Sequence, residues 1–101
     1  MDYSLKLYVP DDVSEAQRQN AHRLFREALE VALGGAAMVW PMYEIHRAIV
    51  QQYGEAPDDD DLNAQQRLVF DSWQQAEAAA LEAVFGPYRN LDEGGYEISP
   101  A

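Results

Sequence analysis

Four consecutive aspartates, at positions 58–61, form the densest group of ionisable side chains in this sequence. Carboxylate oxygens bind calcium and magnesium, so a metal site is one interpretation of the run. An EF-hand loop has a glycine at its sixth position and a glutamate at its twelfth. Counted from Asp58, these positions hold Asn63 and Val69, so the EF-hand pattern fails. The sequence therefore predicts neither a specific metal site nor a cofactor.

Aspartates that precede a helix also stabilise its start. Asp61 stands just before the third predicted helix, where its carboxylate would accept hydrogen bonds from free backbone N–H groups. One cap needs only one aspartate, and neighbouring carboxylates repel each other. The surplus residues Asp58, Asp59 and Asp60 are consequently interpreted in two ways: as a solvated loop, or as a contact surface for a basic partner.

The two histidines are the candidates for acid–base chemistry. His22 falls on the polar face of the first predicted helix, where a solvated side chain is expected. His46 lies beside the apolar stripe of the second helix, so we expect it to be partly buried and hydrogen-bonded. The sequence contains no cysteine, no Ser-His-Asp arrangement and no glycine-rich phosphate loop. We therefore expect no catalytic residues and no enzymatic activity.

Aromatic side chains mark two further candidate contact regions. Trp40 and Tyr43 open the second helix beside a glycine-rich turn, where an exposed pair would anchor an interface. In the C-terminal tail, acids and tyrosines are interleaved, and this pattern would complement a basic, partly apolar groove. The tail candidates are Tyr88, Asp92, Glu93, Tyr96 and Glu97. Both regions also fit ordinary structural roles, the first as core and the second as a solvated loop with an edge strand.

The charge balance restricts the classes of partner. Eighteen acidic residues against seven lysines and arginines give a net charge of −11. Such a charge repels phosphate backbones and anionic lipids, so we predict no direct nucleic-acid or membrane binding. It attracts a basic protein and accelerates encounter with it. The lack of cysteine and of any signal-like or membrane-spanning run predicts a cytoplasmic protein. The length of 101 residues fits one domain over residues 1–101, and we expect a monomer or homodimer.

Hydrophobic periodicity predicts the elements that carry these residues. Alternation over residues 3–9 predicts a half-buried strand that Pro10 ends. The next segment predicts a helix capped by Ser14 or Asp12 and ended at Gly34. The apolar stripe of this helix contains Ala21, Leu24, Phe25, Ala28, Leu29 and Ala32.

Two more helices and a short strand complete the prediction. The second helix covers residues 36–54, with Pro41 in its first turn, and the third covers residues 62–85. A short strand follows around Glu97. The predicted fold is α+β and mostly helical, with three helices flanked by a short N-terminal and a short C-terminal strand, in the order β-α-α-α-β. One core is expected to contain Leu24, Phe25, Ile45, Ile49, Val69, Phe70 and Trp73.

These features favour an acidic protein-binding inhibitor of the immunity-protein or antitoxin type. Such a protein would neutralise a basic toxin or nucleic-acid-acting enzyme by occluding its site, with acids on one face and no cleft around His46. An assembly or secretion chaperone is an alternative that requires a large exposed apolar patch on the helices. A small enzyme that uses His46 is a less favoured alternative, and it requires carboxylates to converge on that residue in a cleft.

Overall fold

Two strands flank three helices in the computed structural model, which describes residues 3–9, 11–86 and 95–101. The elements are β1 (Tyr3–Leu7), α1 (Glu15–Leu33), α2 (Val39–Tyr53), α3 (Ala64–Phe85) and β2 (Tyr96–Pro100). The predicted β-α-α-α-β order is confirmed. No helix within the described ranges is long and apolar enough to cross a membrane.

The two strands pair with each other. β1 and β2 run antiparallel, with Leu5 opposite Ile98, and the backbone N–H of Tyr8 extends the ladder by donating to the Gly95 carbonyl at 2.7 Å. Because side chains alternate along a strand, one face of this sheet turns toward the helices. That face carries Tyr3, Leu5, Leu7 and Ile98. The pairing brings Tyr96, the first residue of β2, against the helical layer.

Tyr3 fastens β1 to α1. Its hydroxyl donates a 2.9 Å hydrogen bond to Glu30, which also receives a 3.1 Å hydrogen bond from the Arg26 guanidinium. The same guanidinium carbon lies 5.1 Å from the centre of the Tyr3 ring, within cation–π range. Burial, reinforced by the bond to Glu30, raises the pKa of Tyr3 to about 12.

Capping side chains determine where α1 and α3 begin. The Ser14 hydroxyl accepts a hydrogen bond from the Gln17 backbone at 3.2 Å, and the Asn63 amide oxygen accepts one from the Gln66 backbone at 2.8 Å. The prediction that Asp61 caps the third helix is therefore wrong. Asp61 belongs to a separate 3-10 turn, so α3 starts at Ala64, two residues later than expected.

Glycines and a second short turn define the ends of the first two helices. α1 ends at Gly34 as predicted, with a φ of +91° that favours glycine because it has no Cβ. α2 starts at Val39 rather than at position 36, because Ala36–Met38 forms its own 3-10 turn. Pro41 lies in the first turn of α2, where its missing N–H costs no helical hydrogen bond.

The core consists of two clusters rather than the single one predicted. The main cluster lies between α1, α3 and the sheet, and its largest fully buried side chains are Trp73, Phe25, Leu29, Val39 and Val84. A smaller cluster joins α2 to α3 through Ile49, Leu62 and Phe70. Leu24 and Val69 are only partly buried, and Ala32 is exposed.

Ile45 is not a core residue, since 43% of its surface is exposed. The α3-facing side of α2 is instead formed by Tyr43, His46 and Ile49, which follow helical spacing. Ile45 is one position out of phase with this stripe. The prediction was wrong because the aliphatic residue was assigned to the inner face, whereas the neighbouring imidazole occupies it.

Candidate functional site

A cleft of about 440 Å³ opens between α2, α3 and the start of β2. This volume lies within the range of pockets that bind small ligands or single side chains with part of their backbone. One wall comes from successive turns of α2, and α3 and β2 complete the opposite side. Its lining includes Tyr43, His46, Arg47, Glu55, Glu77 and Tyr96.

A hydrogen bond between Tyr96 and Glu77 joins β2 to α3 inside this cleft. The Tyr96 hydroxyl donates to Glu77 Oε2. The pKa of Tyr96 is raised far above its usual value, mainly by burial and secondly by the hydrogen bond to Glu77. The hydroxyl therefore keeps its proton, and the carboxylate stays fixed as an acceptor. The buried Trp73 N–H lies near enough to lower this pKa slightly, although it has no hydrogen-bond partner among the described residues.

His46 forms part of the cleft wall. Its ring stacks on Phe70, with centroids 5.0 Å apart and planes at 22°, and it lies 6.0 Å from the ring of Trp73. Burial lowers the pKa of His46, and the charge of Glu77 opposes this change. The predicted partial burial is confirmed. Within the described residues, aromatic stacking takes the place of the expected hydrogen bond.

His22 does not lie in the cleft and is not the solvated residue we expected. It is partly buried, and its Nε2 atom lies 3.1 Å from the carbonyl oxygen of Leu5 in β1. The polar face of α1 turns toward the outer edge of the sheet at this point. His22 therefore occupies a backbone hydrogen-bonding position on an edge strand, which is a structural role.

The aspartate run is an ordered turn. The Asp58 backbone N–H donates to the Asp61 carboxylate at 2.9 Å, and the Asp61 backbone N–H donates to the Asp58 carbonyl at 3.0 Å. Asp59 forms a 3.2 Å ion pair with Arg67 of α3, and the same guanidinium donates to the Asp58 carbonyl at 3.1 Å. Fewer aspartates are surplus than the sequence suggested, because local contacts use the carboxylates of Asp59 and Asp61.

The turn nevertheless presents its charge to solvent. All four aspartates are exposed, and the side chain of Asp59 is as accessible as that of a free residue, at 102%. Glu55, at the end of the cleft, precedes Asp58 by three positions. Three residues of chain span at most about 10 Å, so the aspartate turn lies beside the cleft.

The remaining aromatic and tail candidates divide between the core and the cleft. Trp40 and Tyr43 are both partly buried, with ring centroids 5.8 Å apart, and Tyr43 also contacts Trp73 at 5.3 Å. Tyr96 points into the cleft, whereas Glu97 lies on the other strand face and accepts a 2.8 Å hydrogen bond from an exposed tyrosine, Tyr8. Three tail candidates fall outside the described residues: Tyr88, Asp92 and Glu93.

Glu77 is the cleft residue that sequence reasoning missed. Glu77 stands in the alanine-rich segment "AEAAA" of the third helix, to which the sequence analysis assigned no functional residue. Its spacing carried a signal, since it follows Phe70 by seven positions and Trp73 by four. These intervals place a carboxylate on the aromatic face of α3.

Neither metal coordination nor similarity to known proteins identifies the site. Within residues 3–9, 11–86 and 95–101, no three His, Asp or Glu side chains are grouped so that they could hold a metal ion. Comparison with family models, with curated proteins and with solved structures gives no match.

Proposed function

We propose that this protein binds a basic protein partner through the aspartate turn and the adjoining cleft, and inhibits that partner by covering its active or binding site. The observation that carries the proposal is a run of four exposed aspartates that begins three residues after Glu55, which lines the cleft together with Glu77. This acidic surface belongs to a chain with a net charge of −11.

The physical basis is electrostatic steering onto an ordered surface. A strong negative field raises the rate at which a cationic protein arrives, and this rate falls as salt screens the field. The Asp58–Asp61 hydrogen bonds close the turn before binding, and the Asp59–Arg67 pair, whose carboxylate is fully exposed, adds little. Such preorganisation reduces the conformational entropy lost on association.

The test compares two variants that change the net charge equally. One replaces Asp58, Asp59 and Asp60 with asparagine. The matched control replaces three exposed acids elsewhere: Asp11→Asn, Asp12→Asn and Glu82→Gln. The partner is first captured from the native cell on the unmodified protein, and association is then measured by stopped flow across a salt series.

We expect the aspartate-turn variant to slow association by about tenfold at low salt and to flatten its salt dependence. The control should change the rate much less, because its charges lie away from the contact. Equal rates for the two variants would assign the effect to net charge alone and remove the aspartate turn from the contact surface.

The cleft itself favours a second candidate, a small enzyme in which His46 acts as a general base. The inhibitor hypothesis expected no cleft around His46, whereas the enzyme hypothesis required one lined by carboxylates, and the cleft contains Glu55 and Glu77. Because its pKa is lowered, His46 is neutral near pH 7, and the neutral imidazole is the form that accepts a proton. Hydrolysis of model esters and phosphoesters, compared with His46→Gln, tests this candidate. An activity lost in that variant would support it, and equal rates would reject it.

The chaperone alternative receives no such support. The large apolar side chains that are exposed among the described residues lie on five separate segments of the chain, so no one helix presents an apolar face. They are Tyr8, Val31, Met38, Ile45 and Leu68.

A further inference from the structure

One side of the Glu77 carboxylate is available for a ligand. Tyr96 occupies Oε2, and no other hydrogen bond to this carboxylate forms within the described part of the chain. An ionised carboxylate accepts about four hydrogen bonds, so most of its capacity is free. Glu77 is only partly buried and lines the cleft, which leaves this capacity accessible from solvent.

Aromatic side chains line the same cleft as the carboxylate. Tyr43, His46 and Tyr96 line the cleft with Glu77, and the Tyr43 hydroxyl lies near enough to Tyr96 to raise its pKa. Planar guanidinium groups stack on aromatic faces and form paired hydrogen bonds to carboxylates. An ammonium group forms no such stacked, two-pronged contact, so the arrangement fits arginine better than lysine.

The charges of the lining favour a cation. Among the described residues of the lining, Glu55 and Glu77 contribute two carboxylates, and the exposed Arg47 contributes one guanidinium. His46 adds no positive charge near pH 7, because burial lowers its pKa. An anionic ligand would also have to approach against the net charge of −11.

We infer that the cleft is the receptor for an arginine side chain of the basic partner, whose guanidinium binds Glu77 between Tyr43 and Tyr96. The inference rests on the proposed function for the identity of the ligand. From Tyr43 to Tyr53, the last residue of α2, the wall follows ten residues at helical rise, about 15 Å. That length corresponds to roughly five residues of extended peptide, so a second basic residue about five positions away would reach Glu55 and the aspartate turn.

The test uses N-acetyl-arginine amide, with N-acetyl-citrulline amide as the uncharged analogue of the same shape. Binding is followed at low salt by NMR shifts of the His46, Tyr43 and Tyr96 rings. We expect the arginine probe to shift these signals and the citrulline probe to bind at least about tenfold more weakly.

Two substitutions locate the contact. Glu77→Gln keeps an oxygen for the Tyr96 hydroxyl but removes the charge, and it should weaken arginine binding by about tenfold. Glu82→Gln, an exposed position on the same helix, should leave binding unchanged. Tyr43→Leu removes a stacking ring without touching the carboxylate and should weaken binding roughly threefold. Thermal melts by circular dichroism verify that each variant is folded.

Equal binding of both probes, or undiminished binding to Glu77→Gln, would overturn the inference. The outcome is independent of the kinetic test of the aspartate turn. If the arginine probe fails to bind while the turn variant slows association with the partner, the cleft assignment fails and the aspartate turn alone remains the proposed contact. If the probe binds the cleft but the turn variant associates normally, the reverse holds.

Discussion

The hydroxyl of Tyr96 donates a hydrogen bond to the carboxylate of Glu77, so that the last strand is tied to the middle of the last helix. The two residues are 19 positions apart and belong to different layers of the fold. This bond completes the cleft wall and leaves a partly buried phenol beside the Glu77 carboxylate. The contribution of this hydrogen bond to the free energy of unfolding and its effect on the pKa of Tyr96 can be measured separately.

We expect Tyr96→Phe to lower the free energy of unfolding by about 1–2 kcal/mol. A hydrogen bond to a charged group contributes about 1.5–3 kcal/mol when buried, and Glu77 is only partly buried. Urea melts give this difference. Tyr8→Phe is the control, because Tyr8 forms the same type of bond to Glu97 on the exposed face. A loss as large for Tyr8 as for Tyr96 would contradict the importance of burial.

Stability should fall in alkaline solution. The pKa of Tyr3 rises to about 12 and that of Tyr96 rises further, from an ordinary value near 10. Above pH 10 the unfolded chain loses these protons while the folded chain retains them, so unfolding becomes progressively more favourable. This stabilisation is complete below pH 10 and is lost as the pH rises through the folded pKa values. Urea melts at pH 9 and 11 measure it, and Tyr3→Phe should reduce the difference between them.

The pKa of His46 should lie below its usual 6.5, and Glu77→Gln should lower it further. Burial causes the first effect, and loss of a carboxylate that opposes it causes the second. Because the folded pKa is depressed, the unfolded state binds more protons as the pH falls below 6.5, and stability decreases over that range. NMR titration of the imidazole protons measures the pKa values. A rise in the Glu77→Gln variant would contradict the assigned contact.

Phe70→Ala should cost about 3 kcal/mol, the lower end for a buried phenylalanine, because the cluster of Ile49, Leu62 and Phe70 is small and can partly collapse. The same change removes the ring on which His46 stacks, so the pKa of His46 should return toward 6.5. Leu68→Ala is the control on the exposed side of α3 and should cost less than about 0.5 kcal/mol. A loss below about 1 kcal/mol for Phe70 would show that its face is not buried.

Local sequence patterns predicted the helices and strands, but they did not predict contacts between residues distant in the chain. Alternation in β1, the Ser14 cap and the positive φ of Gly34 are properties of a few neighbouring residues, and each was confirmed. In α2 the prediction failed because it relied on side-chain hydrophobicity. It placed Ile45 inside, whereas Ile45 is exposed and its neighbour His46 packs against α3. Periodicity cannot show that an aromatic partner, here Phe70, makes an imidazole the better inner residue.

The candidate site was harder to predict than the fold. The aspartate run was recognised, but its contacts with Arg67, which is nine positions from Asp58, were not predicted. Glu77 becomes part of a site only when strand pairing brings the Tyr96 hydroxyl into hydrogen-bonding contact with it. Neither contact has a local sequence signal, because each depends on how the elements pack.

The pairing of β1 with β2 also sets an order of events in folding. Tyr8 and Glu97 are 89 positions apart, so their strands must close a very long loop, and the entropy of that closure is unfavourable until the helices have shortened the distance. We therefore expect the sheet to form after the helical layer and to separate first on unfolding. Since Tyr96 belongs to β2, the cleft is assembled in the final step, and a ligand bound against Glu77 would slow the opening of the strands rather than speed their formation.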